Sequence, residues 1–175
     1  GGQARRVGVA RALALEPELI VADEPTAGLD VSVQGEILNL LNGLKQRLGL
    51  SYLIITHNLA LVRHVADRIG VMYLGRLVES GPVRDVFAQP RHPYTQSLLA
   101  SVPRPDPRKR RAHLAISGEI PSILRRPPGC EFHTRCRFAR DICRKHAPAL
   151  RDVSPQHAVR CHFADDTTII EGGLP

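Results

Sequence analysis

Tryptophan is absent from the 175 residues, methionine occurs once, and aromatic residues make up only 4%. A surface that stacks bases needs rings, so their scarcity argues against nucleic acid as a partner, despite a formal charge of +7. No apolar run approaches the roughly 18 residues of a membrane-spanning helix, and no leader pattern opens the chain. The expectation is a polypeptide soluble by itself and intracellular. No Gly-x-x-x-x-Gly-Lys-Ser/Thr loop occurs anywhere, and the first residue is Gly rather than Met. Any phosphate chemistry here needs a cradle from elsewhere, and the sequence reads as the C-terminal part of something longer. Cysteine is missing until Cys130.

What is present centres on Leu19-Ile-Val-Ala-Asp-Glu-Pro-Thr-Ala-Gly-Leu-Asp30. Four apolar residues run into Asp23 and Glu24, and then Pro25 and Gly28 break the pattern. This suits a fully buried strand of a parallel sheet, with both acids at its carboxyl end, where open α/β sheets place ligands. One carboxylate there can hold Mg²⁺ while the other orients a water against a phosphate chain. Taken alone, the pair could equally be two solvated acids. A second apolar run, Tyr52 to Ile55, delivers Thr56-His57. An imidazole can bond a phosphate oxygen and a carboxylate together, although a lone His after a strand is usually packing or a cap. Gly1-Gly2-Gln3 opens a helix whose uncovered N–H groups could receive an anion, or could be a helix start and nothing more.

These four pieces, in this order, resemble the ATP-binding cassette (ABC) family of transporter ATPases, over residues 1 to about 100. The resemblance implies an α/β fold, the C-terminal portion of a P-loop cassette with parallel strands and helices. It makes Gly1, Gly2 and Gln3 the end of the signature sequence, which closes on ATP held by an opposite cassette. Asp23 becomes the Mg²⁺ residue and Glu24 the catalytic glutamate of the Walker B strand. Asp30 belongs to the D-loop along the dimer seam, and His57 is the switch histidine. Arg91-His92-Pro93-Tyr94 narrows the likeness to oligopeptide, dipeptide and nickel importers. The implied partners are a second ATPase subunit, identical or paralogous, two membrane permeases and an extracytoplasmic solute-binding protein. The implied place is peripheral, on the cytoplasmic face of the cell membrane. The intact parent would be an ATPase, whereas the fragment alone is expected to be inactive. An ATPase for nickel, or a non-catalytic remnant, remains the alternative.

Local signals fill in the rest. Val7, Ala10, Leu13 and Ala14 form the apolar stripe of a first helix. Val33 to Leu48 reads as an amphipathic helix, N-capped at Asp30 or Ser32 and C-capped at Gly49. A helix over Asn58–Ala66, two strands around Gly75, a short helix from Val83 and a Pro-started helix at Pro93 follow. Residues 1–102 are assigned to the cassette, 103–112 to a Pro- and Arg-rich linker, and 113–175 to a small irregular Cys-containing extension ending in a mobile tail from 164. Cys130, Cys136, Cys143 and Cys161 are spaced C-x₅-C-x₆-C-x₁₇-C. Disulfides do not suit a cytosolic chain. Three readings stay open: a [4Fe–4S] cluster on four thiolates, which the importer resemblance implies for some members; zinc with a histidine substituting; and unligated thiols.

Overall fold

The computed structural model describes residues 2–102, 116, 118–166 and 169. Gly1 and the expected linker 103–112 lie outside the described residues. The chain is α/β, in two compact units, Gly1–Val65 and Ala66–Pro175.

In the first unit, helix α1 (Gly2–Leu13) leads to strand β1 (Leu19–Asp23), helix α2 (Val31–Leu48), strand β2 (Ser51–Ile55) and helix α3 (Leu59–Val65). Asp30 caps α2, its side chain accepting from Val33 N at 2.9 Å, and Gly49 ends it at φ 67°, in the left-handed region. Ile37 and Leu41 on its inner face are buried. Strands β1 and β2 pair in parallel, with Asp23 opposite Ile55. This register brings the segments after both strands to one edge.

Two expectations are corrected here. Neither strand is fully buried: β1 and β2 alternate between exposed and half-buried, with Val21 at 59% and Leu53 at 54% exposure. Each has only the other for a neighbour in a two-stranded sheet, so one face stays open among the described residues. On α1 the stripe is shifted as well. Val9 and Leu13 are half-buried, whereas Val7 is 68% exposed. The helix packs mainly against α2, which needs a narrower face than the sequence pattern offers.

The second unit is built on antiparallel pairing. Strands β3 (Arg68–Tyr73) and β4 (Arg76–Pro82) are joined by Leu74-Gly75, with φ of 45° and 74°, the positive pair that a two-residue hairpin turn requires. Helices α4 (Val83–Ala88) and α5 (Pro93–Ala100) follow, the latter capped by His92 Nδ1, which accepts from Tyr94 N at 3.1 Å. Beyond the undescribed stretch come a single 3₁₀ turn at His133–Arg135, helix α6 (Asp141–Lys145), and strands β5 (Arg151–Ser154) and β6 (His157–Val159). Strand β6 lies on the free side of β4, giving the order β3-β4-β6-β5. Residues on both sides of 103–112 therefore share one sheet and one core. That core gathers Val71, Tyr73 and Val78 from the hairpin around Phe132, with Tyr94, Leu98, Cys130 and Cys136 packed against it. Burying a ring such as Phe132, 2% exposed, contributes about 1.5–3 kcal/mol. Ala164 and Ile169, expected in a loose tail, are fully buried, and Gln96 Nε2 donates to Ile169 O at 2.9 Å. No described helix is long and apolar enough to cross a membrane.

Candidate functional site

At the carboxyl ends of β1 and β2 the structure brings Glu24 and His57 together. Glu24 sits at φ 44°, a left-handed conformation uncommon outside glycine, and its N–H donates to Ile55 O at 2.8 Å. That turn aims the side chain across at the second strand's exit. Oε1 receives the His57 backbone N–H at 3.1 Å and lies 2.6 Å from His57 Nδ1. Oε2 receives the Thr56 hydroxyl at 3.3 Å. The carboxyl is held below its ordinary range, chiefly by the His57 side-chain bond; desolvation opposes it, and the His57 N–H, attraction to His57 and, least, the Thr56 hydroxyl add to the lowering. With Nδ1 turned to Glu24, Nε2 is the ring nitrogen left to face another group, and the His57 side chain is 86% exposed.

Asp23, next to Glu24, ends β1 with its residue exposed, as expected of an acid at a sheet's ligand edge. Its carboxylate oxygens are the hard donors that Mg²⁺ takes. Asp30 is occupied as the cap of α2. Gly2 and Gln3 begin α1, and Gly2 is tight: a Cβ there would meet Val33 Cγ1 at 2.8 Å. Thr56 was not singled out by the sequence. The signal available was only its place before His57.

The cysteines form a separate constellation in the second unit. All four line one small cavity, together with His92, Phe132, His133 and His162 among others. Gly129, at φ 70°, makes the approach possible, because a Cβ there would run into the backbone carbonyl of Cys143. Cys130 N also donates to Cys143 O at 2.8 Å. Burial first, with the neighbouring sulfurs adding and a backbone N–H opposing, pushes the thiol of Cys161 up to about 12 and that of Cys130 up to about 11. Cys136 is raised for the same first reason. The four are free thiols. Among the described residues no three His, Cys, Asp or Glu side chains form a group that could hold a metal ion.

Behind the cavity lies a buried acid that sequence reasoning missed. Glu79 on β4 is fully buried and accepts from Arg91 N at 2.8 Å, His92 N at 3.0 Å and His157 Nε2 at 2.8 Å. His92 is pushed down to about 4 by burial, which Glu79 opposes only in part.

The family described as "Oligopeptide/dipeptide transporter, C-terminal region" matches residues 78–143. The oligopeptide transport ATP-binding protein AppF of Bacillus subtilis is 48% identical over 165 residues, covering 93% of this chain and 50% of its own length. The chain is similar to ABC transporter ATP-binding proteins of peptide importers. The dipeptide transport ATP-binding protein DppF of Escherichia coli is 49% identical, over 94% of this chain and 49% of its own length. A putative peptide import ATP-binding protein of Brucella ovis is 50% identical, over 92% and 51% respectively. The chain thus spans about half the length of the curated relatives it matches.

Proposed function

We propose that these residues serve in the ATP-binding and ATP-hydrolysing subunit of an importer for oligopeptides or dipeptides. The reading is carried by the 2.6 Å contact of His57 Nδ1 with Glu24 Oε1 at the common exit of two paired parallel strands. Glu24, ionised and anchored, polarises the water that attacks the terminal phosphate of ATP. His57 bonds Glu24 through Nδ1 and turns Nε2 to a phosphate oxygen, so the imidazole reports whether that phosphate is present. Asp23 would hold Mg²⁺, which would neutralise charge on the phosphates. Gly1, Gly2 and Gln3 close the nucleotide of an opposite cassette, and Asp30 runs along the seam between the two. The phosphate cradle comes from a segment outside these residues. As given, the 175 residues bind nucleotide incompletely and hydrolyse none. The partners are a second cassette, two permease subunits and, through them, a solute-binding protein outside the membrane; the site of action is the cytoplasmic membrane face.

The test is Glu24→Gln in the full-length protein. Nucleotide binding is expected to persist and turnover to vanish; undiminished hydrolysis would remove Glu24 from this role.

For the cysteines we propose a [4Fe–4S] cluster on Cys130, Cys136, Cys143 and Cys161. What supports this is the convergence of four thiols on one cavity. A cluster takes four thiolates at wider mutual spacing than a single zinc ion does. The cluster would relieve the burial cost of the ionised sulfurs and tie together residues distant in the chain. Anaerobically purified protein is expected to be brown and to carry iron. A colourless, iron-free sample drops the cluster.

A further inference from the structure

Both oxygens of the Glu24 carboxylate are engaged, and by different residues. His57 supplies both donors to Oε1, while Oε2 is approached by the Thr56 hydroxyl at 3.3 Å. That hydroxyl is itself oriented. Asn58 N donates to Thr56 Oγ1 at 3.1 Å, occupying an oxygen lone pair and turning the Thr56 proton toward Glu24. Asn58 Oδ1 in turn accepts from Leu61 N at 3.2 Å, so the relay is fixed to the first turn of α3. Anchored at one oxygen only, a carboxylate still swings about its terminal bond, because that torsion is broad. Anchored at both, it keeps one plane and presents a defined lone pair.

We propose that Thr56 is a positioning residue for hydrolysis. Its hydroxyl, aimed by Asn58, locks the plane of the Glu24 carboxylate so that the remaining Oε2 lone pair points at the attacking water. The proposal rests on the ATPase reading above and extends it. A purely local role for Thr56, capping the turn into α3 through its bond from Asn58 N, would affect folding and leave the chemistry of Glu24 alone. The two roles separate in kinetics. The local role moves the unfolding temperature. The positioning role moves kcat while leaving KM for ATP, and it is rescued by a residue that keeps the hydroxyl.

The experiment uses the full-length protein with ATP and Mg²⁺, and measures kcat, KM and the unfolding temperature for Thr56→Val, Thr56→Ser, Thr56→Ala and Glu24→Gln. Thr56→Val keeps the shape and removes the donor. It is expected to lower kcat roughly tenfold, the cost of one hydrogen bond to a charged group at the reacting site, with KM for ATP nearly unchanged. Thr56→Ser restores the donor, and with it the rate. Thr56→Ala, which relieves any crowding by the branched side chain, is expected to lower kcat as Val does. Wild-type kcat in Thr56→Val, or equal losses in Val and Ser, overturn the proposal. If Glu24→Gln is dead while Thr56→Val runs at full rate, only the role of Thr56 falls. If Glu24→Gln hydrolyses like the wild type, the ATPase reading falls with it.

Discussion

Replacing Glu79 by Ala tests the most heavily bonded buried group in the second unit. The carboxylate satisfies three donors, and the substitution leaves all of them behind. The Arg91 N–H is only part-buried and can turn to water, whereas His92 and His157 are 1% and 3% exposed and cannot. Each orphaned buried donor costs about 1–3 kcal/mol, so two cost roughly 2–6. A central figure of about 4 kcal/mol agrees with the 3–5 kcal/mol typical of a buried pair broken from one side. For a chain of this size each kcal/mol lowers the midpoint by about 2–4 °C, so the second unit should unfold roughly 10 °C earlier. Glu79→Gln keeps acceptor oxygen but points an amide N–H₂ at one of the donors, and should lose less. The assay is thermal unfolding at neutral pH, with amide hydrogen exchange reporting on β4, α5 and β6 separately. His157→Ala and the double variant complete a cycle in which the two losses should not add, because they break the same contact. An Ala variant within about 0.5 kcal/mol of wild type would refute the idea that this carboxylate ties α5 and β6 to β4.

Two further outcomes follow from the same unit. Gly129→Ala forces a Cβ against the Cys143 carbonyl at a left-handed backbone position, whose strain alone is about 1–2 kcal/mol. The midpoint of thermal unfolding should fall, and a variant as stable as the wild type would contradict the packing described for Cys130 and Cys143. His92 supplies a pH test. Its folded value near 4 lies below the 6.5 of an unfolded histidine, so between those values the unfolded chain binds a proton that the folded chain refuses. Stability is intact above about pH 6.5 and declines as pH falls toward 4, by at most roughly 3 kcal/mol. His92→Asn, which keeps an acceptor for Tyr94 N, should flatten that decline in a denaturation series across pH, and an unchanged slope would assign it elsewhere.

How far the sequence could be read depended on whether the deciding partner was near in the chain. Asp30 caps α2, Gly49 closes it, and Leu74-Gly75 turns the hairpin, all through bonds to residues a few positions away. The ends of β1 and β2 were legible for a different reason. Apolar runs stopping at acids and at a histidine leave few other places for a shared edge. Glu79 was not legible. A glutamate within a strand reads as a solvent-facing residue, and its bonds reach 12, 13 and 78 positions along the chain. The meeting of the cysteines was hidden for the same cause. Their spacing does not say that Cys161, just beyond β6, returns to the cavity of Cys130 and Cys136. The exposure of β1 and β2 was misjudged because an apolar run records what a strand can bury, while neighbouring strands decide what it does bury.

The position of β6 against β4 has a consequence for anyone shortening this protein. Ending the chain before His157 would strip β4 of its partner at Glu79 and Ser80 and leave the Val78 carbonyl without the N–H of Arg160. A bare sheet margin recruits whatever strand comes near, most readily another copy in the same state. Products trimmed at residue 150 should therefore clump, and the closing residues act as a built-in guard on solubility as well as a wall for the thiols.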